Sequence, residues 1–189
     1  MSHLTMRLAT IRVWIALASL AGCLSEDGRL RSRDDAFALG NAHYDQGDFD
    51  AAIARYTESV DLDPSFSMGY NNRGLARAQK GDLDGAIADY DASIALPSRM
   101  AEAYYNRGVA RHRKSQYPEA IQDFTEALAL SPRYPRALAG RGLARGAMGE
   151  RTGAVIDLKA ALAMGPPQWT ERKHLESELE RLTRANEGK

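Results

Sequence analysis

Four glycines, Gly40, Gly74, Gly108 and Gly142, stand 34 residues apart with no insertion between them. Twelve residues after each comes an alanine, Ala52, Ala86, Ala120 and Ala154, and four residues later a large apolar or aromatic side chain, Tyr56, Tyr90, Phe124 and Leu158. A proline closes each period: Pro64, Pro97, Pro132 and Pro166. Self-similarity at a fixed period of this length means that one supersecondary unit is copied along the chain. The copies run 33–66, 67–100, 101–134 and 135–168. A unit so small cannot bury its own apolar face, so neighbouring units must stack.

Within each copy, apolar residues recur three and four apart on both sides of a short break, which predicts two amphipathic helices. In the second copy the first helix runs from about Ser67 to Lys80, and Gly81-Asp82 supplies a left-handed stop followed by an N-cap acceptor. Leu83, Ala86, Ile87, Tyr90 and Ile94 then share a face until Pro97. The small Gly and Ala have a steric purpose, since two helices approach closely only where no bulky side chain intervenes. Pro118 falls in a first helical turn, where its missing N–H breaks no bond. Composition agrees with a packed fold: 44% of the 189 residues are hydrophobic and 26% charged. A single Cys and seven Pro exclude a disulfide scaffold, a Cys-rich zinc module and a collagen-like fibre. The formal charge of zero speaks against a dedicated nucleic-acid binder.

The pattern resembles the tetratricopeptide repeat, and the resemblance covers residues 33–168. It implies an all-α, right-handed solenoid of four helix-turn-helix units with a non-catalytic, protein-binding role. The Gly, Ala, second-helix aromatic and Pro positions fit well. The first helix fits less well: its opening aromatic is Tyr70 and Tyr104 in two units but Ala36 and Leu138 in the others. Residues 169–189 continue as a charged segment with Leu175, Leu179 and Leu182 on one face, and the exposed end of a repeat stack needs such a capping helix.

Arginines stand just before and three after the motif glycine in units two to four: Arg73 and Arg77, Arg107 and Arg111, Arg141 and Arg145. Charges near a packing face are costly unless paired. Each unit carrying them also has an Asp fifteen residues after the glycine: Asp89, Asp123 and Asp157. A repeating Arg-to-Asp ladder between stacked helices follows; the alternative is that the arginines snorkel to solvent. Unit one has Leu39, His43 and Arg55 at these three places.

Ahead of the repeats, Arg7 and Arg12 precede an uncharged run, Val13 to Gly22, of about ten residues. That length suits a signal-peptide core and is half of what a membrane-spanning helix needs. Residues 1–22 are read as a signal peptide, with 23–32 as anchor and tether. Leu20-Ala21-Gly22-Cys23 resembles the lipobox of bacterial lipoproteins, which implies that Cys23 is acylated and becomes the mature N-terminus. Leu24, and not Asp, after the Cys implies the outer membrane, with the chain facing the periplasm. An ordinary signal peptide cut after Ala18 or Ala21, with Cys23 incidental, is the other reading, and a buried helix a third. Without residues 1–22 the chain stands at about −2.

The sequence holds no catalytic constellation, no Gly-rich phosphate loop and no metal-ligand spacing among its histidines, so neither enzymatic activity nor a cofactor or metal is expected. Asp61-Leu62-Asp63 and Asp82-Leu83-Asp84 read as helix ends and caps and not as calcium loops. Family resemblance puts the first helices on a concave surface. Its partner-binding candidates are Phe37, Asn41, Tyr44, Asn71, Leu75, Tyr105, Val109, His112, Arg113, Arg136 and Leu143, with Ala78, Ala139 and Gly146 at equivalent positions. The first helices of units two to four carry ten basic residues against Glu102, and the second helices of units one to three twelve acidic residues against Arg55. A mildly positive groove near Arg113 and Arg136 would steer an acidic protein or peptide partner. The carboxylate clamp of chaperone-binding repeats is matched at Asn41 and Asn72 only; Phe37, Glu102 and Asn106 stand where cations are expected. Two alternatives to an envelope scaffold are an accessory subunit of an envelope enzyme complex and a soluble, exported or cytosolic, chaperone-type adaptor.

Overall fold

The computed structural model describes residues 32–184. The proposed signal peptide, Cys23, the tether up to residue 31 and residues 185–189 lie outside the described residues. Those described form helices joined by short turns, with no strand. The helices are α1 Arg33–Asp45, α2 Phe49–Leu62, α3 Ser67–Gln79, α4 Leu83–Ala95, α5 Ala101–Arg113, α6 Tyr117–Leu130, α7 Pro135–Ala147, α8 Arg151–Met164 and α9 Arg172–Arg184.

The turns explain where the helices stop. Gly47, Gly81 and Gly149 follow α1, α3 and α7 at φ of 75°, 87° and 80°. This left-handed conformation costs glycine nothing. Asp48 and Asp82 then cap α2 and α4, accepting from the amides of Ala51 and Gly85 at 3.2 and 2.9 Å. After α5 the left-handed position is held by Ser115, at φ 60°, in a turn whose backbone bonds repeat those of the Gly81 turn. Ser32 caps α1, its hydroxyl accepting from the Asp35 amide at 3.2 Å.

Each helix pair closes on the motif glycine. A Cβ on Gly40 would lie 2.5 Å from the Tyr56 ring, one on Gly74 2.7 Å from Tyr90, one on Gly108 2.9 Å from Phe124 and one on Gly142 2.9 Å from Leu158. These four partners and Ala52, Ala86, Ala120 and Ala154 are essentially solvent-free. Between pairs, the first helix of each touches the first helix of the next, whereas the second helices do not touch one another. The stack therefore curves, with α1, α3, α5 and α7 on its inner side. Helix α9 packs on α8 where the first helix of a fifth unit would stand, burying Leu175 and Leu182 against Leu138 and Leu158.

The arginines are paired, within each hairpin first and between hairpins second. Arg73 and Arg77 hold Asp89 at 2.7 and 2.8 Å, Arg107 and Arg111 hold Asp123 at 2.7 and 2.8 Å, and Arg141 and Arg145 hold Asp157 at 2.8 and 2.7 Å. All three carboxylates are buried. The arginine before each glycine also reaches the preceding unit, donating to Thr57 at 3.3 Å, Asp91 at 2.5 Å and Thr125 at 3.3 Å. Burial opposes the charge on Arg107, but its bonds to Asp123 and Asp91 outweigh that and hold its pKa above the ordinary value. Lys80 with Asp50, and Lys114 with Asp84, add ion pairs between units. Unit one pairs Arg55 with Glu58 on its own helix at 2.7 Å.

Three substitutions test this account by urea unfolding followed by circular dichroism. Gly74→Ala gains up to about 1 kcal/mol of helix propensity yet overpacks the Tyr90 ring, and a net loss of about 1 kcal/mol is expected. Ser115→Gly relieves the left-handed conformation and should add roughly 1 kcal/mol. Asp123→Ala strands the partly buried Arg111 guanidinium and leaves Arg107 with Asp91 alone, and should cost about 3–5 kcal/mol; a neutral result would show that the ladder supports nothing.

Candidate ligand groove

The inner face divides into two chemically different ends. At the amino-terminal end Asn41, Tyr44 and Leu75 line a hollow of about 300 Å³ with Asp45, Tyr56 and Asn72. Its amides are already engaged with one another. Tyr56 Oη donates to Asn41 Oδ1 at 2.8 Å, and Asn72 Nδ2 donates to the same oxygen at 3.1 Å. Asn71 Nδ2 in turn donates to Asn72 Oδ1 at 3.1 Å, and Asn106 Nδ2 to Asn71 Oδ1 at 3.0 Å. Burial pushes the Tyr56 phenol up to about 12, so it keeps its proton and remains a donor.

One expected lining residue plays another part here. Asn71 is only 3% exposed and is consumed by the amide chain linking units one to three, so it offers no free carboxamide to the groove. Phe37 lies against Tyr56 and Phe66, with ring centroids 5.7 and 5.0 Å away, the counterparts of the contacts that Tyr105 makes with Phe124 and Tyr134 at 5.9 and 5.0 Å.

At the other end, Tyr105, Val109, His112, Arg113, Arg136 and Leu143 do converge, around one hollow of about 180 Å³. Phe124, Ala139 and Gly140 form its floor. Its remaining wall comes from the chain beyond the fourth unit: Trp169, Glu171, His174 and Leu175. A wider hollow of about 470 Å³ adjoins it, lined by Glu102, Tyr134, Pro135 and Pro166, and the two share Arg136 and Trp169. The sequence marks Trp169 as the start of a cap, but nothing in its spacing reveals that the arm turns inward. Tyr134, one residue before Pro135, escapes notice for the same reason: it lies in a turn, outside the helical period.

Electrostatics single out the same end. Of the ten basic residues on the first helices of units two to four, six are bound in the Arg–Asp ladder, and Lys80 and Lys114 pair with Asp50 and Asp84. Arg113 and Arg136 remain. Arg113 donates only to the Ala78 carbonyl, at 2.9 Å. Arg136 is exposed and has no ion-pair partner among the described residues. His112 sits beside the Tyr117 ring, 5.3 Å between centroids, and burial lowers its pKa. Among the described residues no three His, Cys, Asp or Glu side chains gather as a metal ion would require.

Family models for the tetratricopeptide repeat match residues 37–100 and 101–134, together just over half of the chain. The chain belongs to the tetratricopeptide-repeat family. Among solved structures it is similar to the crystal structure of MamA, 25% identical, over 82% of this chain and 85% of that one, with a TM-score of 0.69. It is similar also to the tetratricopeptide domain of Arabidopsis OM64, 28% identical, over 61% of this chain and 96% of that one, TM-score 0.60. A third relative in structure is the first tetratricopeptide domain of Spaghetti (RPAP3), 26% identical, over 67% of this chain and 98% of that one, TM-score 0.61. That domain was solved with an HSP90 peptide, SRMEEVD. No curated protein matches the sequence. In the tetratricopeptide frame, the clamp-like Asn41 and Asn72 bond to each other, and Asn106 is held by Asn71.

The lowered pKa of His112 has a definite sign. The unfolded chain takes up a proton near pH 6.5 and the folded chain only at lower pH, so stability falls as pH drops below that value and is fully restored above it. Thermal midpoints between pH 5 and 8 should therefore fall toward acid more steeply for the native chain than for His112→Gln; parallel curves would contradict the assignment.

Proposed function

We propose that this tetratricopeptide-repeat protein is a lipid-anchored scaffold of the bacterial cell envelope, carried on the outer membrane by an acylated Cys23 and facing the periplasm. As a tetratricopeptide-repeat protein it is a protein-interaction scaffold, and the groove on the inner face of the stack is its docking surface. The partner is an extended peptide or helix of acidic character. The observation that carries the partner chemistry is the charge balance: once the stack has paired its own ions, the unpaired positive charge of the first helices lies at Arg113 and Arg136, beside an apolar hollow. Peptide binding by the related Spaghetti domain supports the mode of use. The clamp chemistry of chaperone-binding repeats is disfavoured, because Phe37, Glu102 and Asn106 occupy its cationic places. The envelope address rests on the Arg7, Arg12, Val13 to Gly22 and Cys23 pattern alone. No described helix is long and apolar enough to cross a membrane.

The address is tested by expressing the full chain and its Cys23→Ser variant in a two-membrane bacterium fed with labelled palmitate. The native chain should take up label and sediment with outer membranes. Cys23→Ser should lose the label and leave that fraction. Equal sedimentation without label in either chain would overturn the lipid anchor while leaving the scaffold reading in place.

A further inference from the structure

The carboxy-terminal arm does more than cover the end of the stack. Resting on the groove reading above, we propose that Pro166–Leu175 is one wall of the ligand site, and that the site takes an acidic segment bearing one large apolar side chain. The apolar group sits between Tyr105, Leu143 and Trp169, and the carboxylates face Arg136 and Arg113.

Three observations converge on this. The hollow exists only because the arm turns inward: without Trp169 and Leu175, Tyr105, Val109 and Leu143 would form an open slope. Its volume of about 180 Å³ suits a single leucyl or phenyl group, given that an apolar cavity of about 150 Å³ takes up benzene. The arm is also held in place before any ligand arrives. Arg172 Nη2 donates to the carbonyls of Leu162 at 2.8 Å and Gly165 at 3.2 Å, tying the start of α9 to the end of α8. The Trp169 ring lies on Gly165 so closely that a Cβ there would be 2.5 Å from Cε3. A wall fixed in advance spares the ligand the entropy of ordering it.

Charge supplies the partner's chemistry. Arg136 stands at the junction of the two hollows and Arg113 at the rim of the smaller one, the two cations left over from the ladder. Glu102 lines the wider hollow and Glu171 the smaller one, where Thr170 donates to Glu171 at 2.8 Å. Acidic residues next to the apolar anchor thus meet Arg136 and Arg113, while a basic segment would meet them in repulsion.

The test uses the full chain carrying Trp14→Phe, which makes Trp169 its single indole. The probe is the capped peptide GEDEELFDEDEG. One control replaces its Leu-Phe by Ser-Ser, and a second replaces every Asp and Glu by Asn and Gln. Saturable change in Trp169 emission is expected with the first peptide, roughly tenfold or more weaker affinity for either control, and a salt dependence lost with the uncharged one. Arg136→Glu should weaken binding roughly tenfold with an unchanged thermal midpoint, Leu143→Gln should weaken it by a similar factor, and Tyr44→Ala, at the far end of the groove, should leave it unaltered. No saturable signal, or equal affinity for the uncharged control, overturns the proposal. Binding, read by anisotropy of a labelled peptide, that Tyr44→Ala abolishes and Arg136→Glu spares also overturns it, yet leaves the groove itself as the docking surface.

Discussion

The contact on which the structure depends is that between the motif glycine and the residue sixteen positions later. A backbone without a side chain lets the second helix lay its ring or branched carbon directly on the first. The same economy recurs between units. A Cβ on Gly140 would lie 2.6 Å from the Phe124 ring of the preceding hairpin, and one on Gly69 2.7 Å from Val60. Phe124 is thus enclosed by Gly108 on its own unit and Gly140 on the next. Because hairpins so small bury little by themselves, these contacts set both the tilt within a hairpin and the step to its neighbour, and hence the curvature that leaves the first helices lining a trough.

Burial alone would tolerate more than one alignment of such similar hairpins. The buried ions remove that latitude. A buried ion pair adds little net stability compared with well-packed carbon, but leaving one partner alone is heavily penalised. Arg73, Arg107 and Arg141 each hold an Asp on their own hairpin and an oxygen on the preceding one, so a slip between units would leave the Asp pairs intact and break the bonds to Thr57, Asp91 and Thr125. The ladder fixes each hairpin through cost, not gain, and its second set of bonds ties one hairpin to the next.

Periodicity made the helices, their turns and the Arg–Asp partners legible in the sequence, because each depends on local spacing or on a pattern copied three times. What it did not disclose lies where the period fails. The amide chain through Asn41, Asn72, Asn71 and Asn106 repeats a position only at Asn72 and Asn106, so its continuity has no repeat signature, and Asn71 reads as a lining residue when it is buried. Trp169 and His174 belong to a segment that occurs once, so their route into the trough is decided by the packing of α9 on α8, a long-range event with no sequence spacing to announce it.

The two ends of the trough are consequently unequal in what they offer a ligand. At the amino-terminal end the amides and the Tyr56 hydroxyl are hydrogen-bonded to each other, so a peptide group that inserts there exchanges one neutral bond for another and gains little. At the carboxy-terminal end an apolar hollow lies open and two arginines have no carboxylate partner, so both area and charge remain to be used. Affinity therefore concentrates where the stack has left its own surface unfinished, and the amide end contributes alignment. The ladder that fixes the hairpins also decides this, since it is by neutralising Arg73, Arg77, Arg107, Arg111, Arg141 and Arg145 that it leaves Arg113 and Arg136 as the only cations on these three first helices facing a ligand without a competing partner.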